Sequence, residues 1–309
     1  MKNNIVVSGA NGFIGNTLIK KLLEDENNYI YGIYRKTPKE ILNHNRLIQI
    51  SNLDLSENNF NKLNNIQIDY FFHCASNSNY LEKSKDLIYK DNILATKNIC
   101  SFLEKKKINL FIYLSTIGVH DRKFLSSSNK KLSESSDLSA KSIYGKSKIS
   151  SEHLINESKI NHLIIRPSWI YGEKMSTKSH IRQLYNWCKE QKFFTKLSFT
   201  GRVTVCEVNS FVETLIYLAF KKDRKYKKYI IGDINPLAFS DLFKIYHKNL
   251  KYRKLIKIFS IFSFLFPSKL RILLEDYLVC DLKQLKDENI EINNDNIEII
   301  NSNLNKKLW

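Results

Sequence analysis

Tyr144 and Lys148 stand four positions apart in the run Tyr144-Gly145-Lys146-Ser147-Lys148, which continues through Ile149, His153 and Leu154 at helical spacing. Residues at that separation share a helix face. An ammonium one turn from a phenol favours the phenolate, which suits the pair to acid/base chemistry. The spacing alone is weak, because Tyr185/Lys189 and Tyr217/Lys221 repeat it. Context separates the first pair. It follows the apolar segment Leu110–Leu114, which ends in the hydroxyls of Ser115 and Thr116. It precedes Leu163-Ile164-Ile165, which runs into Arg166-Pro167-Ser168-Trp169-Ile170-Tyr171-Gly172. Ligand chemistry in a parallel sheet gathers at the carboxyl ends of strands, where both hydroxyls fall.

A second signature opens the chain: Ile5-Val6-Val7-Ser8-Gly9-Ala10-Asn11-Gly12-Phe13-Ile14-Gly15. Its apolar start reads as a strand buried on both faces. Ile14, Leu18 and Leu22 then follow at helical spacing. Strand, glycine turn and helix in that order form a seat for a dinucleotide pyrophosphate. Gly9 turns the chain, Gly12 lets backbone amides approach the phosphates, and Gly15 lets the helix lie close. The chain has nine glycines, and three of them fall here at fixed spacing.

The elements that must position these groups alternate strand and helix. Residues 29–34 read as a second strand, ending at Arg35 and Lys36. A guanidinium there suits a ribose 2′-phosphate, so NADP is expected over NAD. A third strand, 48–50, precedes Asp54-Leu55, placed to meet the adenine. Phe71-Phe72-His73 is a fourth strand, closed by the small residues Cys74-Ala75-Ser76 that line the cofactor wall. A helix is expected over 89–106, with Asn92 near its start, and 110–114 is the fifth strand. The polar loop 126–142 is long enough to fold over a ligand. After Gly172 the alternation loosens. Helices are expected near 180–191, 210–220 and 240–247, and strands over 203–208 and 229–231. The apolar segment 255–266 reads as a buried helix, and 293–305 as a polar, peripheral tail. This is an α/β chain: a doubly wound parallel sheet of the Rossmann type over 1–172, with return strands near 203–232. A smaller C-terminal substrate-binding lobe follows over 173–309.

Composition narrows the class. The chain has 309 residues, 43% of them apolar, enough for a full core. Its five cysteines form no Cys-x-x-Cys pair, which argues for reduced thiols in a cytoplasmic setting and against a metal site. No run reaches the roughly 20 apolar residues of a membrane span. The net charge of +18 comes from dispersed lysines. No aromatic-rich basic ribbon of the kind that stacks bases accompanies it, so nucleic acid is not the expected partner.

Taken in order, these motifs resemble the extended short-chain dehydrogenase/reductase family, the nucleotide-sugar epimerases, dehydratases and ketoreductases. The likeness rests on the glycine turn with Asn11, Phe13 and Ile14, on Asp54-Leu55, and on His73-Cys74-Ala75-Ser76 and Asn92. It extends through Ser115-Thr116, Tyr144-x-x-x-Lys148 and Arg166-Pro167 to Tyr171-Gly172. It implies that Tyr144 transfers a proton, that Thr116 holds the reacting sugar oxygen, and that Lys148 lowers the phenol pKa and binds the nicotinamide ribose. Cofactor contacts are implied at Gly9, Asn11, Gly12, Phe13, Ile14, Gly15, Arg35, Asp54, Leu55, Cys74, Ala75, Ser76, Asn92, Ser115, Pro167 and Ile170. Arg202 is implied at the diphosphate of a nucleotide-diphosphate sugar. A homodimer through the helices near 89–106 and 144–158 is implied as well.

Two departures stand out. Val119-His120-Asp121 replaces the common Val-Tyr-Gly. Ile117-Gly118 replaces the Asp-Glu with which the family's 4,6-dehydratases eliminate water. That disfavours a dehydratase. Together with Arg35 it makes an NADPH-dependent 4-keto-sugar reductase the expected activity. The alternatives are a 4-epimerase resembling UDP-glucose 4-epimerase, with tightly held NAD, and a non-catalytic dinucleotide-binding subunit. The expected setting is nucleotide-sugar metabolism and polysaccharide biosynthesis.

Overall fold

Ile5, Val6 and Val7 are fully buried in the first strand, β1 (Asn3–Ser8). Continuous β-branched residues there mark a strand covered on both faces. The computed structural model describes residues 2–37, 42–78, 84–120, 131–190, 192–249, 256–257, 273–274, 276 and 278–306. After β1 come α1 (Phe13–Leu22), β2 (Asn28–Ile33), β3 (Leu47–Ile50) and β4 (Tyr70–His73). The expected helix over 89–106 is made of three parts: α2 (Lys85–Ile88), a π-helical turn (Tyr89–Leu94) and α3 (Ala95–Leu103). Next are β5 (Leu110–Leu114), α4 (Ile143–Glu157) and β6 (His162–Pro167).

The strand Lys228–Ile231 then β6, β5, β4, β1, β2 and β3 form one seven-stranded sheet. Every adjacent pair from β6 to β3 runs parallel. Between β4 and β1 the winding direction reverses, which opens a crevice at their carboxyl ends. A core of Val6, Phe71, Phe111, Ile99, Leu103 and Ile164 lies along the sheet, with Phe60 stacked on Phe102. Ser8 Oγ meets His73 Nδ1 at 2.7 Å across the crevice floor.

The chain divides into two units. The first holds Met1–Asp121, Asp137–Arg166 and Val212–Tyr229; the second holds Arg122–Ser136, Pro167–Phe211 and Ile230–Trp309. Within the second, Trp169–Tyr171 pairs with Val205–Glu207 in parallel, and Arg202–Val203 pairs with Leu237–Ala238 in antiparallel. The strand expected over 203–208 is thus two short ones. The 293–305 tail is not peripheral: Asn296–Asn305 is a helix that buries Asn296 and Ile300. Of the apolar segment 255–266, only Ile256–Lys257 is described, as a strand beside Leu197–Ser198; the rest, and loop residues 126–130, lie outside the described residues. Among the described residues, no helix is long and apolar enough to cross a membrane.

Candidate active site

Gly9 adopts φ +69°, and a Cβ there would stand 2.6 Å from the Ala75 amide nitrogen. The turn after β1 therefore closes onto the backbone that follows β4, which only a glycine permits. A Cβ at Gly15 would meet the Gly9 carbonyl oxygen at 2.2 Å, so the first turn of α1 rides directly on the glycine turn. Gly12 caps α1 without a side-chain hydrogen bond, and Asn11 and Gly12 are exposed. Phe13 and Ile14 are half-buried. Backbone N–H groups at an uncapped helix start, faced by bare backbone, fit a dinucleotide pyrophosphate.

At the far end of β2 the chemistry is ionic. Arg35 Nη2 donates to Asp91 Oδ1 at 2.8 Å, and Arg35 Nε lies 4.0 Å from Asp54 Oδ2. Asp54 Oδ1 accepts from the Ser56 amide at 2.9 Å and the Ser56 hydroxyl at 2.7 Å. Burial alone would raise the Asp54 pKa; the Ser56 bonds with Arg35 and Lys90 outweigh it and hold the carboxyl below its ordinary range. The guanidinium expected to stand open to a ribose phosphate is already engaged by carboxylates.

The residues expected at the reacting centre converge. Ser142 caps α4 by accepting from the Gly145 amide at 3.0 Å, which sets Tyr144 in the first turn. The side chains of Ser76 and Thr116 lie near enough to the Tyr144 phenol to act on its titration, both in the lowering direction. Thr116 Oγ1 also accepts from the Gly118 amide at 3.1 Å. Lys148 is 2% exposed, and its Nζ donates to the Leu114 carbonyl at 2.7 Å. That Nζ sits 4.6 Å from the Tyr113 ring centroid and 5.9 Å from that of Tyr144.

Desolvation dominates both titrations. It pushes the Tyr144 phenol up to about 12, against the lowering effect of Ser76 and Thr116. It pulls Lys148 down to about 7, although Cys74 and Glu152 act to raise it. Desolvation thus opposes the phenolate that Lys148 and a positive nicotinamide are expected to favour together. In the side chains' own balance, burial outweighs an ammonium that is committed to a backbone carbonyl.

Asn92 sits in the π-helical turn, 2% exposed. Its side chain accepts from Ser76 Oγ at 3.2 Å and the Asn77 amide at 2.8 Å, and donates to Ser147 Oγ at 2.9 Å. It thereby ties the loop after β4 to α4. Cys74 belongs to the same wall, its thiol pushed up to about 12 by burial. Ser115 faces elsewhere than expected: its hydroxyl donates to Glu152 Oε1 at 2.6 Å. Glu152 in turn holds fully buried Arg166, with Nη2 at 2.6 Å from Oε2. Arg166 Nη1 lies 2.8 Å from His120 Nε2, whose Nδ1 meets the Asp137 carbonyl at 2.9 Å. The departure at His120 is thus a link in a buried chain that runs through Arg166 and Glu152 to Ser115.

Comparison with known proteins gives the family. A sequence model of the NAD dependent epimerase/dehydratase family matches residues 5–232. The chain belongs to that family. A putative UDP-glucose 4-epimerase of Methanocaldococcus jannaschii is 27% identical over 184 residues, 56% of this chain and 58% of its own length. The chain thus spans little more than half of that relative. Among solved structures, the Bordetella bronchiseptica enzyme WbmG in complex with NAD superposes with a TM-score of 0.77 at 14% identity, covering 99% of this chain and 94% of its own. The UDP-glucuronic acid 4-epimerase of Bacillus cereus, in complex with UDP-glucuronic acid and NAD, gives 0.73 at 20% identity, covering 99% and 100%.

Leu55 is buried in the first unit; the other expected residues of this epimerase/dehydratase family member lie in the second. Pro167 ends β6, Ile170 pairs with Cys206, and the Arg202 guanidinium is bound by Asp276. Four participants escaped the sequence reading: Asp91, Glu152, Arg166 as an ion-pair member, and Ser76 as a neighbour of the phenol. Glu152 left a trace, lying one further turn along the Tyr144/Lys148 face. Asp91 left none beyond its place next to Asn92.

Proposed function

We propose that the protein is a nucleotide-sugar 4-epimerase working with NAD. The observation that carries this reading is the buried Lys148 amine, anchored on the Leu114 carbonyl and 5.9 Å from the Tyr144 ring centroid, at the end of β5 that bears Thr116. Relatives and structural neighbours described as UDP-sugar 4-epimerases support it.

When bound, the oxidised nicotinamide supplies positive charge that favours the phenolate, and a hydride acceptor that later gives the hydride back. The chain's own part is to handle the proton. The Tyr144 oxygen would take it from the C4 hydroxyl as the hydrogen on C4 departs as hydride with the bonding pair. The same oxygen returns it after the keto sugar has presented its opposite face. No reductant is consumed. Thr116 holds the reacting oxygen by a hydrogen bond. Buried Ile117 and the adjacent Gly118 supply no acid to a departing C6 hydroxyl.

A 4-keto-sugar reductase using NADPH is the second reading, favoured by the exposed basic pair Arg35 and Lys36 at the adenosine end. Purified protein distinguishes the two. The epimerase reading expects NAD in the denatured extract and interconversion of UDP-hexose C4 epimers, followed by proton NMR without added cofactor. NADPH oxidation that depends on a nucleotide-linked 4-keto sugar, with no interconversion, overturns it.

A further inference from the structure

We propose that Asp91 decides the cofactor class of this protein by holding Arg35 away from a ribose 2′-phosphate, so that the site takes NAD and refuses NADP. The inference rests on the NAD reading above and names the residue that enforces it. An arginine just after the second strand of a dinucleotide-binding sheet ordinarily suits a phosphate, through a fork of parallel N–H donors. Here one arm of that fork is spent on Asp91 at 2.8 Å. Asp91 is only 7% exposed, and its other oxygen accepts from Asn77 Nδ2 at 3.1 Å. The carboxylate is fixed from both sides. It also sits in the π-helical turn beside Asn92, whose side chain is tied to Ser76, Asn77 and Ser147.

Turning Arg35 toward a phosphate would strip a nearly buried carboxylate of its cation, which proteins tolerate badly. It would also set a dianion near two carboxylates, because Asp54 lies 4.0 Å from the Arg35 Nε. Lys90, 3.9 Å from Asp54, already answers part of that charge. Lys36 is exposed on the next residue, but an ammonium is a hydrated point charge without the fork. A ribose hydroxyl brings no charge and donates readily to a carboxylate.

The test is calorimetric binding of NAD and of NADP to the purified full chain, with no turnover involved. Wild type is expected to bind NAD at least about tenfold tighter than NADP. Asp91→Asn is expected to tighten NADP about tenfold or more while NAD stays within about threefold. That gain is expected to vanish in Asp91→Asn/Arg35→Ala. Arg35→Ala alone is expected to move NADP by less than about threefold, since the guanidinium is already occupied. An unchanged NADP-to-NAD ratio in Asp91→Asn overturns the proposal, and so does a tenfold loss of NADP binding in Arg35→Ala. If Asp91→Asn does not fold by far-UV circular dichroism, the Arg35→Ala arm decides alone. Wild-type preference for NADP overturns the NAD reading itself. Wild-type preference for NAD with an unmoved ratio overturns only the role of Asp91.

Discussion

Replacing Lys148 with methionine should change the pH dependence of folding in a calculable way. The Lys148 amine is buried and falls from 10.5 to about 7. Between those values the unfolded chain holds a proton that the folded chain has released, so wild-type stability rises with pH across the window. Below about pH 7 the full cost of burying the charge is present. Integrating the linkage puts that cost at about 5 kcal/mol at pH 6 and about 2 kcal/mol at pH 9. Methionine keeps the apolar stem and carries no proton. Loss of the bond to the Leu114 carbonyl offsets the gain by about 1 kcal/mol at either pH. The stability of Lys148→Met relative to wild type should therefore fall by about 3 kcal/mol between pH 6 and pH 9. Urea denaturation followed by far-UV ellipticity measures it, with matched m values as the check on two-state behaviour. A difference constant to within about 1 kcal/mol across that range would refute the reasoning, because the amine would then not be charging in a desolvated site.

Three further outcomes are expected. Tyr144→Phe should cut turnover by about 10²–10⁴-fold while the purified variant still binds cofactor in calorimetry; near wild-type turnover counts against the phenol as the proton carrier. Glu152→Gln leaves buried Arg166 without its carboxylate, and should cost about 3–5 kcal/mol, read as a lowered urea midpoint; a midpoint equal to wild type would mean that the contact with His120 and the new amide suffice to hold the guanidinium. Gly15→Ala drives a methyl into the Gly9 carbonyl at 2.2 Å, and should weaken dinucleotide binding at least about tenfold by displacing the α1 start; unaltered calorimetric affinity contradicts that seat.

What could be read from the sequence was local. Gly9, Gly12 and Gly15 declare their turn by spacing, and β5 shows its five buried residues as an unbroken apolar run. Tyr144 and Lys148 share a face because helical geometry puts them there. Pairings over distance were silent. Arg35 and Asp91 are 56 positions apart, so nothing in the residue types announced that the guanidinium had a partner. Ser115 looked like a ligand hydroxyl because strand ends carry them. Its commitment to Glu152, 37 positions on, depends on how α4 lies against β5. The desolvation at Tyr144 is silent for a related reason: sequence supplies the neighbouring ammonium but not the packing that opposes a phenolate.

The π-helical turn at Tyr89–Leu94 bears on how other sequences are set beside this one. Such a turn holds one residue more than an α-helix of the same rise, closing its bonds from i to i+5. Remove that residue and every later side chain of the helix swings by about 100°. Asn92 would then no longer face Ser76 and Asn77. A relative that lacks the extra residue needs its alignment gap within 89–94. A gap slid further along would set Asp91 and Asn92 one position out of register, and would hide the two side chains that tie this helix to the loop after β4.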